Sequence, residues 1–135
     1  MTRFLLDSGI ASDYINRRKG VYERARAEVA KGNPVGIGIP VLAELASGIE
    51  RSQTRDANMR RLKTALSALR LWPFDAPAAF EYGRIHAELL RLGRPMQVVD
   101  MMIAAIAFVL GNCTVVSADG DLAAVPGLAV ENWAE

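Results

Sequence analysis

At 135 residues the chain is long enough for one domain with a sizeable core, and its 51% apolar and 23% charged residues are ordinary for a soluble globular protein. The net charge of +1 excludes no partner by itself, but it is unevenly spread: residues 1–70 hold 13 Lys/Arg against 7 Asp/Glu, and residues 71–135 hold 3 against 8. Such asymmetry can set a basic rim for a polyanion beside an acidic pocket for metal, and solvated helix faces produce it equally well.

The elements read in chain order as follows. Residues 3–6 form a first strand and 8–17 a helix, after which Gly20 breaks the chain. Residues 21–31 carry Val21, Tyr22, Ala25 and Val29 near helical spacing, and Gly32-Asn33-Pro34 ends that helix. Residues 35–39 are a short strand weakened by Gly36 and Gly38. Pro40 suits the first turn of a helix running to about Arg51. Residues 55–70 are amphipathic, with Met59, Leu62, Leu66 and Leu69 on one stripe. A strand follows at 71–74. Asp75 then caps a long helix to about Leu92, which Gly93 terminates. Residues 98–110 form a mostly apolar, buried helix. Gly111-Asn112 leads into a strand at 114–117, a loop or single helical turn at 119–124, and a last strand at 128–131. The alternation of strands and helices predicts one α/β domain over residues 1–135 with a mainly parallel sheet.

The single cysteine, Cys113, rules out an internal disulfide and fits a reducing cytoplasm. It reads as a small core residue, since no activating base lies nearby in sequence. Met1-Thr2-Arg3 leads into only a short apolar run, so no secretory signal is expected. The run from Met101 to Leu110 is too short to span a membrane, which takes roughly 20 apolar residues.

Several acids sit where a core would not want them. Asp7 ends the run Phe4-Leu5-Leu6. Glu44 lies within Val41-Leu42-Ala43-Glu44-Leu45-Ala46. Asp100 is the only charge between Arg94 and Asp119. Asp119 follows Thr114-Val115-Val116-Ser117, with Asp121 just beyond. Burying an unpaired carboxylate is costly and several together repel. A hard divalent cation relieves both problems, because it prefers oxygen ligands. Ligands of open α/β sheets bind beyond the carboxyl ends of the strands, where Asp7 and Asp119 fall. Each acid also has a bland explanation: Asp7, Asp100 or Asp119 can cap a helix, and Glu44 can face solvent. The coincidence of four such acids at crevice positions favours a metal-dependent enzyme acting on phosphate.

Leu5-Leu6-Asp7-Ser8-Gly9, then Val41-Leu42-Ala43-Glu44-Leu45 with Gly48, Pro73-Phe74-Asp75 with Ala78-Ala79, and Gly93-Arg94-Pro95 leading to Asp100 and Ile103-Ala104-Ala105 occur in one order. Val115-Val116-Ser117-Ala118-Asp119-Gly120-Asp121 and Pro126-Gly127-Leu128 with Val130-Glu131-Asn132-Trp133 complete it. In this order and spacing, nearly end to end, the chain resembles the PIN-domain ribonucleases, and within them the VapC-type toxins of bacterial toxin–antitoxin pairs.

The resemblance implies a three-layer α/β/α sandwich, usually a homodimer. It implies Mg²⁺ or Mn²⁺ held by Asp7, Glu44, Asp100 and Asp119, with Asp121 near or in the set. It also implies hydrolysis of RNA and silencing by an antitoxin that covers the acidic site. Ser8 stands where the family usually has Thr, and its hydroxyl can bond a carboxylate; it can also serve simply as a helix-start residue. Two positions depart from the family. Gly9 stands where Asn is usual, which removes a support for Asp7, and Gln97 stands where a small residue is common.

The basic first half offers Arg17, Arg18, Lys19, Arg24 and Arg26 as candidate RNA contacts. His86, the only histidine, reads as a surface or interface residue on the long helix rather than a general base. Two other readings stand beside the nuclease. One is a PIN fold weakened at Gly9 that acts as a binding module. The other is a phosphoacceptor receiver domain, which needs a Lys after a late strand, whereas no Lys follows Lys63.

Overall fold

The computed structural model describes residues 1–134; Glu135, the last residue of the expected domain, lies outside them. Five strands, β1 (Arg3–Leu6), β2 (Val35–Gly38), β3 (Arg70–Trp72), β4 (Cys113–Val116) and β5 (Ala129–Glu131), form one sheet in the order β3-β2-β1-β4-β5. Every pairing between them is parallel, so the sheet is parallel throughout. Parallel strands need long crossovers. Helices α1 (Ser8–Ile15) and α2 (Val21–Ala30) join β1 to β2, α3 (Ile39–Glu50) and α4 (Arg55–Leu66) join β2 to β3, and α5 (Ala76–Arg91) and α6 (Val98–Leu110) join β3 to β4. Only a 3-10 turn, Leu122–Ala124, lies between β4 and β5. The result is the α/β/α sandwich expected from the sequence.

Burial follows from this layering. Strands covered on both faces read as continuous apolar runs rather than alternating ones, and Phe4, Leu5 and Leu6 of β1 are all buried. All four residues of β2 are buried as well. Helix α6 is the most apolar element; Met101 and Ile103 through Ala107 are buried, and it packs on β1 and β4 with α5 against its side.

The two glycines of β2 have steric reasons to be there. A Cβ on Gly36 would come 2.4 Å from the Arg70 carbonyl oxygen of the neighbouring β3, and one on Gly38 would come 2.6 Å from Ile106 Cδ1 of α6. These glycines are therefore sites of close approach as well as weak strand formers.

Element ends differ from the sequence reading where local chemistry intervenes. Helix α1 stops at Ile15, before residue 17, because Arg17 and Lys19 take left-handed backbone conformations (φ 53° and 57°). Helix α4 stops at Leu66, before residue 70, and the Ser67 hydroxyl donates to the Thr64 carbonyl at 2.6 Å to close it. Strand β3 then begins at Arg70 and ends at Trp72, because Pro73 has no N–H to continue the ladder. Asp75 caps α5 as read, accepting the Ala78 amide at 3.2 Å.

The chain builds outward from β1 in both directions, to β2 and β3 on one side and to β4 and β5 on the other. The topological switch point therefore lies between β1 and β4, where open α/β sheets form their ligand crevice.

Gly36→Ala is expected to destabilise the fold by about 1–3 kcal/mol, since backbone must shift to admit the methyl group. Gly48→Ala, on α3 with nothing within 4 Å of the added carbon, should be neutral or stabilising by up to about 1 kcal/mol. Denaturant melts of the two variants check this; equal midpoints would mean that the β2–β3 contact is looser than described.

Candidate metal centre

The crevice is assembled from the ends of two adjacent strands. The Asp7 amide donates to the Val116 carbonyl at 3.0 Å, so β1 hands over to Asp7 directly beside the end of β4. Asp7 is 8% exposed. It caps α1, its carboxylate accepting the Ile10 amide at 2.8 Å. The capping role and the crevice position thus coincide in one side chain. Burial raises the Asp7 pKa, bonds from Ser117 and the Ile10 amide hold it down, and the charges of Asp119 and Asp13 push it up again.

Beyond β4 the chain makes a tight turn that presents two more acids. The Asp119 amide donates to the Ser117 hydroxyl at 3.0 Å, and the Asp121 amide donates to the Asp119 carboxylate at 3.0 Å. Asp100 comes from the first turn of α6. One carboxylate oxygen each from Asp100, Asp119 and Asp121 lies within 4.8 Å of the others. Asp100 is the half-buried member of the three. Burial, and then the charges of Asp7, Asp119, Asp121 and Glu44, push its pKa up to about 6.

Glu44 and Asp7 lie outside that close trio. Glu44 stands exposed on α3 and accepts a hydrogen bond from the Ser8 hydroxyl. Ser8 thus bonds a carboxylate, and the carboxylate is that of Glu44. Of the acids singled out from the sequence, Asp100, Asp119 and Asp121 are brought together, Asp7 flanks them from the end of β1, and Glu44, held by Ser8, is near enough for its charge to act on Asp100.

Ser117 was not singled out from sequence. It is 3% exposed, and its hydroxyl accepts the Asp119 amide and donates to the Asp119 carbonyl at 3.2 Å, beside Asp7, whose pKa it helps to hold down. The signal was a Ser two residues before an acid at a strand end, the pattern of a hydroxyl-closed turn. No salt bridge neutralises Asp7, Glu44, Asp100, Asp119 or Asp121 among the described residues. An all-oxygen donor set with uncompensated negative charge fits a hard divalent cation and not a soft one.

The candidate RNA contacts divide. Arg24 is held by Glu28 at 3.1 Å and Glu131 at 3.4 Å, and Arg18 by Asp13 at 3.4 Å. The Arg17 guanidinium lies 3.9 Å and that of Arg26 5.8 Å from the centre of the Tyr22 ring. Lys19 is exposed. His86 is exposed on α5 beside Tyr82, ring centres 5.9 Å apart. Burial pushes the Cys113 thiol up to about 12, so it stays protonated and unreactive at neutral pH.

The PIN-domain family profile matches residues 4–128. "Ribonuclease VapC2" of Rickettsia felis is 31% identical over 130 residues, covering 96% of this chain and 97% of the relative. "tRNA(fMet)-specific endonuclease VapC" of Shigella flexneri is 34% identical over 134 residues, covering 98% of this chain and 99% of the relative. Among solved structures, the VapBC2 complex of Rickettsia felis bound to a promoter DNA fragment contains a chain that superposes with a TM-score of 0.90 at 30% identity, covering 98% of this chain and 99% of that one.

Crowded carboxylates give the metal-free protein a definite pH response. An unfolded Asp titrates near 3.9, whereas folding raises Asp100 to about 6. The folded state therefore holds the proton more tightly. The stability Asp100 contributes is full below about pH 4 and is lost as pH rises through about 6. Asp100→Asn removes that loss. In the presence of a chelator the variant should melt a few degrees above the parent at pH 7.5, roughly 1–2 kcal/mol after allowance for solvent screening. The difference should close toward pH 4. A variant that melts at or below the parent at pH 7.5 would mean that Asp100 is not strained by its neighbours.

Proposed function

The chain belongs to the PIN-domain family, within its VapC branch, and from that premise we propose that it is a Mg²⁺- or Mn²⁺-dependent endoribonuclease, the toxin of a toxin–antitoxin pair. The observation that carries the proposal is the convergence of Asp100, Asp119 and Asp121 within 4.8 Å beside Asp7 at the switch point, in a chain that matches VapC relatives over nearly its whole length.

Asp7, Asp100, Asp119 and Asp121 would hold the cation, with Glu44 on the open side. When bound, such an ion supplies Lewis acidity and activates water for attack on a phosphodiester. The chain's own residues do the rest. The Ile10 amide fixes the Asp7 carboxylate, and Ser117 closes the turn that carries Asp119. Ser8 orients Glu44, whose exposed carboxylate is free on its other oxygen to take a proton from an attacking water. Asp121 holds Asp119 through its backbone amide. No histidine is needed.

RNA is the proposed substrate, and the tRNA(fMet) named for two relatives is the first structured substrate to try. The VapBC complexes among the structural neighbours support an antitoxin partner. Its inhibitory segment would bring an arginine to the acid cluster, because a guanidinium pairs bidentately with carboxylates. Phe80 and Leu90 on α5, 82% and 66% exposed, share a stripe with Gly83 and Ala87 that suits pairing of two copies. No described helix is long and apolar enough to cross a membrane; a cytoplasmic site of action follows from the proposed toxin role on RNA.

With Mg²⁺ or Mn²⁺ the protein should cut a mixed RNA pool, and Asp7→Ala should abolish cutting. Asp100→Asn should weaken Mn²⁺ binding strongly in a calorimetric titration. A Cβ on Gly9 meets only Asp7 Oδ1, at 3.8 Å, so a side chain can start there without strain, next to the Asp7 carboxylate. Gly9→Asn should therefore raise the cleavage rate or metal affinity, within the roughly 10–100-fold that such supporting bonds are worth. If the parent cuts nothing and Gly9→Asn alone restores cutting, the natural role is binding rather than turnover.

A further inference from the structure

The acid-bearing turn leaves the sheet from a point pinned on both sides. On one side the Asp7 amide donates to the Val116 carbonyl at 3.0 Å. On the other, the Ser117 amide donates to the Glu131 carbonyl at 2.9 Å, one step past the Val116–Glu131 pair that ends the β4–β5 register. The first pin belongs to β1, in the middle of the sheet. The second belongs to β5, which is three residues long and has β4 as its only neighbour. So short an edge strand has few bonds of its own to fix its register. Holding Ser117 therefore requires that Glu131 be held from outside the sheet.

The Glu131 side chain supplies that hold. Its Oε1 accepts the Trp133 indole N–H at 3.1 Å and pairs with Arg24 Nη2 at 3.4 Å. Arg24 is fixed in turn. Its Nε bonds Glu28 Oε2 at 3.1 Å, and its guanidinium lies 5.1 Å from the Trp133 ring centre. Glu28 is buried and also accepts the Asn33 side-chain amide at 3.0 Å, while Asn33 Oδ1 accepts the Thr2 amide at 3.0 Å. Trp133 is buried with its ring centre 5.1 Å from that of Phe4. An exposed ion pair alone contributes little. Here it shares its acceptor oxygen with an indole and backs onto a buried carboxylate, so α2, β1 and the C-terminal segment all bear on Glu131.

We infer that Arg24, Glu131 and Trp133 form a clamp that positions the acid turn. By fixing β5 they fix Ser117, whose hydroxyl receives the Asp119 amide at 3.0 Å, and through it Asp119, whose carboxylate takes the Asp121 amide at 3.0 Å. The three are positioning residues, since they act through Ser117 rather than on a cation or on RNA. Asp119 and Asp121 are exposed, and a turn without a fixed start would let their carboxylates spread under mutual repulsion. Outlying partners of this kind set how well a cation is held. That consequence rests on the reading of the acids as a metal site. It also gives Arg24 a duty other than RNA contact.

The test uses full-length protein well below its melting midpoint. Glu131→Ala removes the side-chain acceptor and leaves the backbone carbonyl that Ser117 uses. Glu131→Gln keeps an oxygen for the indole and for Arg24 while removing the charge. In metal-free protein, amide hydrogen exchange at Ser117 and Asp119 should quicken roughly tenfold in Glu131→Ala, with Leu5 and Leu6 unchanged. Mn²⁺ affinity in a calorimetric titration should fall roughly fivefold. Glu131→Gln should stay close to the parent in both, whereas loss of a remote negative charge alone would act equally in Gln and Ala. Arg24→Ala should reproduce Glu131→Ala, and the double variant should add little to either, because both break one clamp. Arg91→Ala, which breaks an ion pair with Glu88 on α5, should change neither measurement. Parental exchange at Ser117 and Asp119 in Glu131→Ala overturns the proposal. So does faster exchange with unchanged Mn²⁺ affinity, since the clamp then only fastens the last strand, and so does equal weakening by Gln and Ala. If the parent binds no Mn²⁺, the metal-dependent reading fails, and faster exchange at Ser117 and Asp119 by itself upholds the clamp.

Discussion

Mutual repulsion among carboxylates is the constraint around which the molecule is organised. Five acids gather beyond the carboxyl ends of β1 and β4, and no basic side chain forms an ion pair with them among the described residues. Burial first, and then the neighbouring charges, displace Asp100 and Asp7 upward, so the arrangement costs stability in the absence of a cation. The acids remain in place because their backbones are fixed by elements that are stable for other reasons. Asp7 is anchored by β1, whose Phe4, Leu5 and Leu6 are buried, and Asp100 by α6, whose following residues form much of the core. Apolar burial on the scale of several side chains, each worth roughly 1.5–3 kcal/mol, outweighs the strain of the cluster. The conflict between local electrostatics and global packing is the pattern expected of a functional site.

The fold separates the two charge signs. Negative charge collects at the switch point through β1, α3, α6 and the β4–β5 turn. Unpaired positive charge collects on the loop after α1 and on α4. The basic residues that are structural are distinguishable from the rest because they already have partners. Arg24 ties α2 to β5 and lies 5.1 Å from the ring centre of Trp133, while Glu28, which it bonds, also receives Asn33 at 3.0 Å. Such bonded arginines fasten the chain's last strand to the second helix. Arg17, Arg60 and Arg61 have no such duty.

Sequence pattern was sufficient for the element order because each signal is local. Pro40 begins a helix, Asp75 caps one, and Gly111-Asn112 turns one into a strand, each through backbone chemistry within a few residues. The same locality explains where the reading slipped. The end of α1 depends on Arg17 and Lys19 adopting positive φ, which neither residue type announces. The glycines of β2 read as weakness, whereas Gly36 is needed by the Arg70 backbone and Gly38 by Ile106, contacts 34 and 68 residues away in sequence.

The site was legible to a similar depth. Acids placed after or within apolar runs singled out Asp7, Glu44, Asp100, Asp119 and Asp121, because an isolated charge beside a strand or within an apolar helix has few structural uses. The sequence by itself determined the inventory: which acids are available, that no disulfide competes, and that the strands alternate with helices. Tertiary structure alone decided the geometry. Strand order makes β1 and β4 neighbours, so that Asp7 and Asp119, more than a hundred residues apart, come close enough for their charges to interact. It also leaves Glu44 on the open rim, held by Ser8, brings in the unremarked Ser117, and joins Arg17 to Arg60 and Arg61 across a cleft. The physical reason is that side-chain type is written along the chain, whereas distance between remote residues is set by which apolar faces bury together.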